Sequence, residues 1–226
     1  MKVSISSSIL ISCFLLIIVI GCEDKNIPPE RVTDIEGNTY TTVKIGDQVW
    51  TAENLRTRKF NDGSDIPLIT DTLSWGGLTT PGYCWYLNNE TEYKTTYGAL
   101  YNGYSVATSG LCPTGWHVPS KDEWQELRDF LGDTITGGGK LKETGVIHWA
   151  GPNTGAANST GFTALPAGIR YFEGSFSSVF YFTSFWSSTE SENNEGWYLY
   201  LYFGDAVAGM DQLSKNFGFS VRCIKD

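Results

Sequence analysis

Leu111-Cys112-Pro113-Thr114-Gly115-Trp116-His117-Val118-Pro119-Ser120, continuing into Lys121-Asp122-Glu123-Trp124, joins an extended run to a helix start. Ser120 and Glu123 have the spacing of a capping box: the Ser hydroxyl and the Glu carboxylate each satisfy a backbone N–H that the first turn leaves free, and Pro119 stands just before them. The spacing predicts a helix over 121–131, with Trp124, Leu127, Phe130 and Leu131 on one face and Gly132 at its end. A second short helix is expected after Gly137-Gly138-Gly139, over 140–144.

Outward from this helix the chain reads as strands and turns. Residues 32–54 form a β-meander, with turn signals at Gly37-Asn38 and Gly46-Asp47 between extended runs at 39–45 and 48–52. Residues 55–81 are polar with Asp62-Gly63, Ile66-Pro67 and Gly76-Gly77, a long irregular connection. Strands resume near Tyr83, and 97–106 fits helix and strand equally. A Gly, Asn and Thr loop covers 151–161, and strands are expected at 162–165, 168–172, 180–187, 197–203 and 217–224. Tyr198, Tyr200 and Tyr202 alternate with Leu199 and Leu201, so this strand is expected to be covered on both faces. The sum is an α+β domain, mostly antiparallel sheet with one or two short helices.

Composition narrows the partners. With 41% hydrophobic and 18% charged side chains among 226 residues, the chain can bury a sizeable core. Its net charge of −9 disfavours nucleic acid and any polybasic attachment to anionic lipid.

The first residues read as an address. Lys2 precedes an apolar run over 9–20, too short for the roughly 20 residues of a membrane span but matching the core of a secretory signal of about 7–15 residues. Val19-Ile20-Gly21-Cys22 resembles the bacterial lipobox, which implies signal removal after residue 21 and an acylated Cys22 that holds the protein on a bilayer. The chain is thus expected in the bacterial cell envelope, lipid-anchored at the outer membrane and open to surface exposure. Residues 22–31 are acidic and Pro-containing, a short tether.

With Cys13 removed and Cys22 acylated, Cys84, Cys112 and Cys223 remain, and an oxidising envelope allows one disulfide among three pairings. Cys112–Cys223 is preferred because it ties the first strand-like stretch of the core to the last, closing a loop of about 100 residues worth roughly 4–5 kcal/mol of unfolded-state entropy. Cys84, within Gly82-Tyr83-Cys84-Trp85-Tyr86, reads as a small buried hydrophobe.

The stretch from Leu111 to Ser120, with Glu123-Trp124, is similar to the signature of the Fibrobacter succinogenes major paralogous domain. Further matches follow in order, among them Val43-Lys44-Ile45-Gly46-Asp47-Gln48, Tyr97-Gly98-Ala99-Leu100-Tyr101-Asn102, Gly161-Phe162-Thr163-Ala164-Leu165-Pro166, Trp186-Ser187-Ser188-Thr189-Glu190 and Gly218-Phe219-Ser220-Val221-Arg222-Cys223. They span 32–226 as a single domain. The resemblance implies an envelope lipoprotein or secreted module related to the C-type-lectin-like fold, with a lectin-like core from about 82 to 226. It implies location and fold more than activity. Two features of calcium-dependent lectins are missing, a Glu before Pro152-Asn153 and a Trp-Asn-Asp triplet near the end, so no bound metal or other cofactor is expected. Formylglycine-generating enzymes look like distant cousins, but their pair of C-terminal cysteines is reduced here to Cys223.

No catalytic constellation stands out. Gly103-Tyr104-Ser105-Val106-Ala107 is one residue from a nucleophile elbow, whose base would have to be His117 or His148, and the fold lacks the parallel sheet which that motif needs. Gly137-Gly138-Gly139-Lys140 lacks the hydroxyl of a phosphate loop and reads as a flexible turn. Asn61-Asp62-Gly63-Ser64-Asp65 departs from calcium-loop spacing and reads as a solvated turn.

A non-enzymatic module that binds a glycan or protein through its C-terminal loops is therefore expected, with Asn193, Asn194, Trp197, Asp205, Asp211 and Asn216 as candidate contacts. Aromatic rings stack on sugars while Asn and Asp bond hydroxyls. The competing reading makes Trp197 a core strand residue and the Asn and Asp side chains turn formers. A structural envelope lipoprotein without a ligand pocket is the alternative function, and an unassigned hydrolase the third.

Overall fold

Two turns between antiparallel strands open the described part of the chain, where Gly37 and Gly46 supply the positive φ that side chains avoid. The computed structural model describes residues 30–226. The signal segment, Cys22 and the tether up to residue 29 lie outside the described residues. In chain order the strands and helices are β1 (Arg31–Thr33), β2 (Thr39–Ile45), β3 (Gln48–Thr51), α1 (Thr72–Gly76), β4 (Tyr83–Cys84), α2 (Glu90–Tyr97), β5 (Leu100–Asn102), α3 (Gly103–Ala107), β6 (Trp116–His117), α4 (Lys121–Phe130), β7 (Ala167–Arg170), β8 (Phe176–Val179), β9 (Phe182–Glu190), β10 (Glu195–Tyr202), β11 (Gly209–Ser214), β12 (Gly218–Phe219) and β13 (Ile224–Lys225).

The architecture is α+β. One sheet has the order β1-β2-β3-β13-β6, the other β11-β10-β9-β7-β12-β5-β4 with β8 on β7. Within named strands only the β7–β9 pair is parallel. Ile224 pairs with both Trp50 and His117, so the N-terminal meander is continued by the last strand of the chain rather than standing apart. β9 and β10 divide the interior. Trp186 and Tyr198 face one core cluster with Tyr101 and Phe219, while Phe185, Leu199 and Leu201 face another with Trp50, Trp124 and Phe162.

Helix α4 forms as its capping box requires: Ser120 Oγ accepts from the Glu123 N–H at 3.2 Å, and Glu123 Oε2 accepts from the Ser120 N–H at 2.7 Å. Trp124 and Leu127 are fully buried, but Phe130 is 59% exposed, its ring lying over Gly46 at the β2–β3 turn. The Cys112–Cys223 disulfide is present, with Cα atoms 6.0 Å apart, and Cys84 is buried as a free thiol.

Several expectations are corrected. Residues 90–97, read as strand-rich, form α2, and the irregular 55–81 connection contains α1, whose Trp75 is fully buried. Residues 97–106 are strand then helix, β5 and α3. Residues 162–165 are not a strand; Ala164 makes one bridge to Lys142. The expected 217–224 strand is split into β12 and β13, which belong to different sheets, and β8 and β11 are additional. The expected 140–144 helix is a 3-10 turn at Gly137–Lys140. Its glycines are buried packing points rather than a flexible turn: a Cβ on Gly138 would strike the Val207 carbonyl, and one on Gly139 the Gly155 carbonyl. On β10 both leucines are fully buried, whereas the tyrosine face opens at Tyr202, 40% exposed.

Among the described residues, Lys142, Arg170 and Arg222 are buried cations without a bonded carboxylate. Lys142 Nζ donates to the carbonyls of Thr154, Tyr202 and Asp205 at 2.7–2.9 Å. Arg170 donates to Gly174, Ile69, Thr70 and Asp71 carbonyls beneath the Trp75 ring. Arg222 binds Asn54 Oδ1 and the carbonyls of Thr51, Phe162 and Thr163, stacked on Phe162. Carbonyl dipoles and aromatic faces here replace the hydration that burial removes.

Candidate functional site

The hollow that best joins polar groups to an aromatic ring lies beside the turn between β9 and β10. Its volume is about 400 Å³, and Lys121, Glu190, Glu192, Asn193, Trp197 and Gln212 contribute to its walls. Two neighbouring contacts fix its shape. The Ser188 N–H donates to the Pro119 carbonyl at 2.8 Å and the Lys121 N–H to Thr189 Oγ1 at 3.0 Å, which docks the start of α4 on the end of β9. The turn is closed by the Ser191 N–H to the Glu195 carbonyl at 2.8 Å, with Asn194 at φ +61°.

Trp197 is half-buried at the mouth, paired in register with Gln212 of β11. Lys121 Nζ sits 4.0 Å from the centre of its ring, a cation–π contact. Glu190 is neutralised by Lys215 at 2.9 Å. The hollow thus presents one indole, two amides, the Lys121 ammonium and one unbonded carboxylate.

Of the six residues singled out from sequence, Asn193 and Trp197 meet here. Asn194 is exposed on the same turn but does not line the hollow. The other three do not converge. Asp211 pairs with Tyr198, so alternation sends it to the opposite face of the sheet from Trp197. Asp205 caps its own loop, accepting from the Val207 N–H at 3.0 Å. Asn216 Nδ2 donates to the Leu78 carbonyl at 2.7 Å and helps to hold the segment after α1. Lys121 and Gln212 were missed. Lys121 could have been found as the first residue after a capping Ser, whereas Gln212 sits on a polar edge strand without an apolar pattern.

The residues weighed for chemistry are engaged elsewhere. Ser105 is fully buried; its hydroxyl donates to the Gly82 carbonyl at 3.0 Å and accepts from the Gly82 N–H at 2.9 Å. His148 Nδ1 is 2.9 Å from both Glu143 carboxylate oxygens. Burial pushes the Cys84 thiol up to about 12, where it stays protonated. Asp62 accepts from the Ser64 N–H and hydroxyl, closing a local turn. Among the described residues no group of three His, Cys, Asp or Glu side chains could hold a metal ion.

His117 bridges two carboxylates, Glu123 through Nε2 at 2.8 Å and Asp226 through Nδ1 at 2.6 Å. Partial burial opposes the charged ring, but the two carboxylates outweigh it and raise its pKa above the ordinary value of 6.5. A raised folded pKa means that the stabilisation is complete below about pH 6.5 and is lost as pH climbs through the higher folded value. His117→Gln is therefore expected to be less stable than wild type at pH 5.5, by under about 1 kcal/mol for so exposed a pair. Urea titrations at pH 5.5 and 9 check this; a gap that widens at pH 9 contradicts it.

No curated protein and no solved structure matches the chain. The model of the Fibrobacter succinogenes major domain matches residues 43–225, from β2 to the last strand and across both sheets. The chain therefore belongs to the Fibrobacter succinogenes major domain family.

Proposed function

We propose that the chain is a lipid-anchored, non-enzymatic recognition module of the bacterial envelope, held to the outer membrane through Cys22 and binding a glycan in the hollow beside the β9–β10 turn. The observation that carries the reading is Trp197, a half-buried indole ringed by the Asn193 and Gln212 side chains and the Lys121 ammonium. A sugar ring stacks on an indole through its C–H face while amides bond its hydroxyls. Lys121 covers the indole through a flexible stem, so it can swing aside for a neutral sugar or pair with an acidic one. The structural engagement of Ser105, His117 and His148 supports a binding role over hydrolysis. A lectin-like scaffold, in which strands frame a loop-rich recognition face, fits the α+β architecture.

Glycan-array screening of the protein is expected to give binders whose affinity falls about tenfold or more in Trp197→Ala, the loss of one central aromatic contact. Binding that survives both Trp197→Ala and Asn193→Ala excludes this hollow. A protein partner lost in the same variants would keep the hollow and change the ligand.

A further inference from the structure

The hairpin of β9 and β10 has a second pole. From Glu190 back to Phe182, which pairs with Tyr202, the strand covers about 26 Å at roughly 3.3 Å per residue. At that far end five large apolar side chains are exposed: Ile147 by 85%, Val146 by 63%, and Tyr181, Phe180 and Tyr202 by 40–48%. Hydrogen bonds and ring contacts tie together the segments that carry them. The Ala150 N–H donates to the Phe180 carbonyl at 2.7 Å, and the Phe203 N–H to the Tyr181 carbonyl at 2.9 Å. Phe203 bridges the Tyr181 and Tyr202 rings at 5.1 and 4.7 Å, while Tyr97 meets both Phe180 and His148 edge-on. The ionisable groups bordering it are satisfied internally, His148 by Glu143, Lys142 by three carbonyls and Asp205 by its own loop.

We infer that this pole docks on the bilayer interface, with the β9–β10 turn directed away from the membrane. The inference rests on the proposed acylation of Cys22. Eight residues lead from Cys22 to Glu30, a reach of at most about 29 Å fully extended, so an acylated chain cannot carry its domain far from the lipid surface. Such a tether gives the domain a high effective concentration at the membrane, and a weakly partitioning patch is then enough to set its orientation. Tyr and Phe suit the headgroup level, and the projecting Ile147 and Val146 suit the acyl boundary beneath it. Because the pole offers no free cation among the described residues, docking draws on apolar burial and does not require anionic lipid. The same orientation presents Trp197 and Asn193 outward, where a recognition hollow is of use.

The test uses the full chain in phosphatidylcholine vesicles, with an environment-sensitive nitrobenzoxadiazole probe on Ile147→Cys or Asn193→Cys. Both sites are exposed, while in the mature acylated protein Cys13 has left with the signal, Cys22 carries the lipid, Cys84 is buried and Cys112 and Cys223 are bonded, so labelling is directed and folding is spared. The Ile147 probe is expected to shift to the blue and to be quenched by doxyl groups on the acyl chains, and the Asn193 probe to do neither. An unquenched Ile147 probe on vesicle-bound protein overturns the docking and leaves the anchor standing. A blue shift without doxyl quenching identifies a second copy on the patch and also overturns it. A palmitate analogue that fails to label wild type, as it must fail with Cys22→Ala, overturns the anchor instead; quenching of the Ile147→Cys probe when signal-free Cys22→Ala protein is mixed with vesicles then upholds the docking, and its absence removes it.

Discussion

The double variant Cys112→Ser/Cys223→Ser is expected to lose about 4–5 kcal/mol of stability, the entropy of a closed loop of this size in the chain-entropy model. The bond links positions 111 residues apart and reinforces a junction that β6 and β13 also make by pairing, His117 with Ile224 and Trp116 with Lys225. Cys112 enters just before β6, and Cys223 precedes β13, which lies between β3 and β6. Without the bond, the sheet that joins the segments at 31–51 to those at 116–117 and 224–225 must assemble from a less constrained unfolded chain. In calorimetry the melting point is expected to fall by roughly 10–15 °C for a domain of this length. A fall of only a few degrees would show that the unfolded chain already holds these segments together. Both cysteines are buried, so reductant is expected to act on the native protein only as fast as it opens.

Arg222→Met is expected to cost about 3–5 kcal/mol, although methionine retains much of the apolar stem. Arg222 is 1% exposed, and its guanidinium serves four oxygens at 2.6–3.1 Å on the segments at 51–54 and 162–163. Burial lowers its pKa to about 9, a sign that the charge itself is held at some expense. Methionine removes that expense but leaves Asn54 Oδ1 and three carbonyls without a donor in a dry interior, and each orphaned acceptor costs about 1–3 kcal/mol. Arg222→Lys is expected to recover only part of the loss, because an ammonium cannot reproduce a planar fork aimed at two segments. Urea unfolding of the three proteins checks this; a methionine variant within about 1 kcal/mol of wild type would mean that water reaches the vacated oxygens.

What could be read from sequence followed local chemistry. Helix α4 was legible because capping box, apolar spacing and terminal Gly agree over a dozen positions. The hairpin of β2 and β3 was legible because Gly46 fits its turn. Helix α2 was not, since only Tyr93 and Tyr97 are buried and no apolar stripe runs along it; its signal was the Asn89 cap on the Glu92 N–H and the Glu90–Lys94 pair one turn apart. Strand β11 is a polar edge that exists through its pairing with β10, a contact that no local pattern announces. The site divides in the same way. Trp197 and Asn193 are near neighbours in sequence and were found together, whereas Lys121 and Gln212 come from α4 and β11 and reach the hollow only through the tertiary fold. Asp205, Asp211 and Asn216 were the right chemistry in the wrong places, taken up by a turn, an opposite sheet face and a loop latch.

The manner in which Lys142, Arg170 and Arg222 are held bears on how freely this scaffold can diversify. Apart from Asn54, every acceptor they use is a main-chain oxygen, which any residue supplies. Side chains at 69–71, 154, 163, 202 and 205 can therefore be exchanged without unfastening the three pins, provided the backbone keeps its path. A frame secured in this way tolerates new loop chemistries on an unchanged interior.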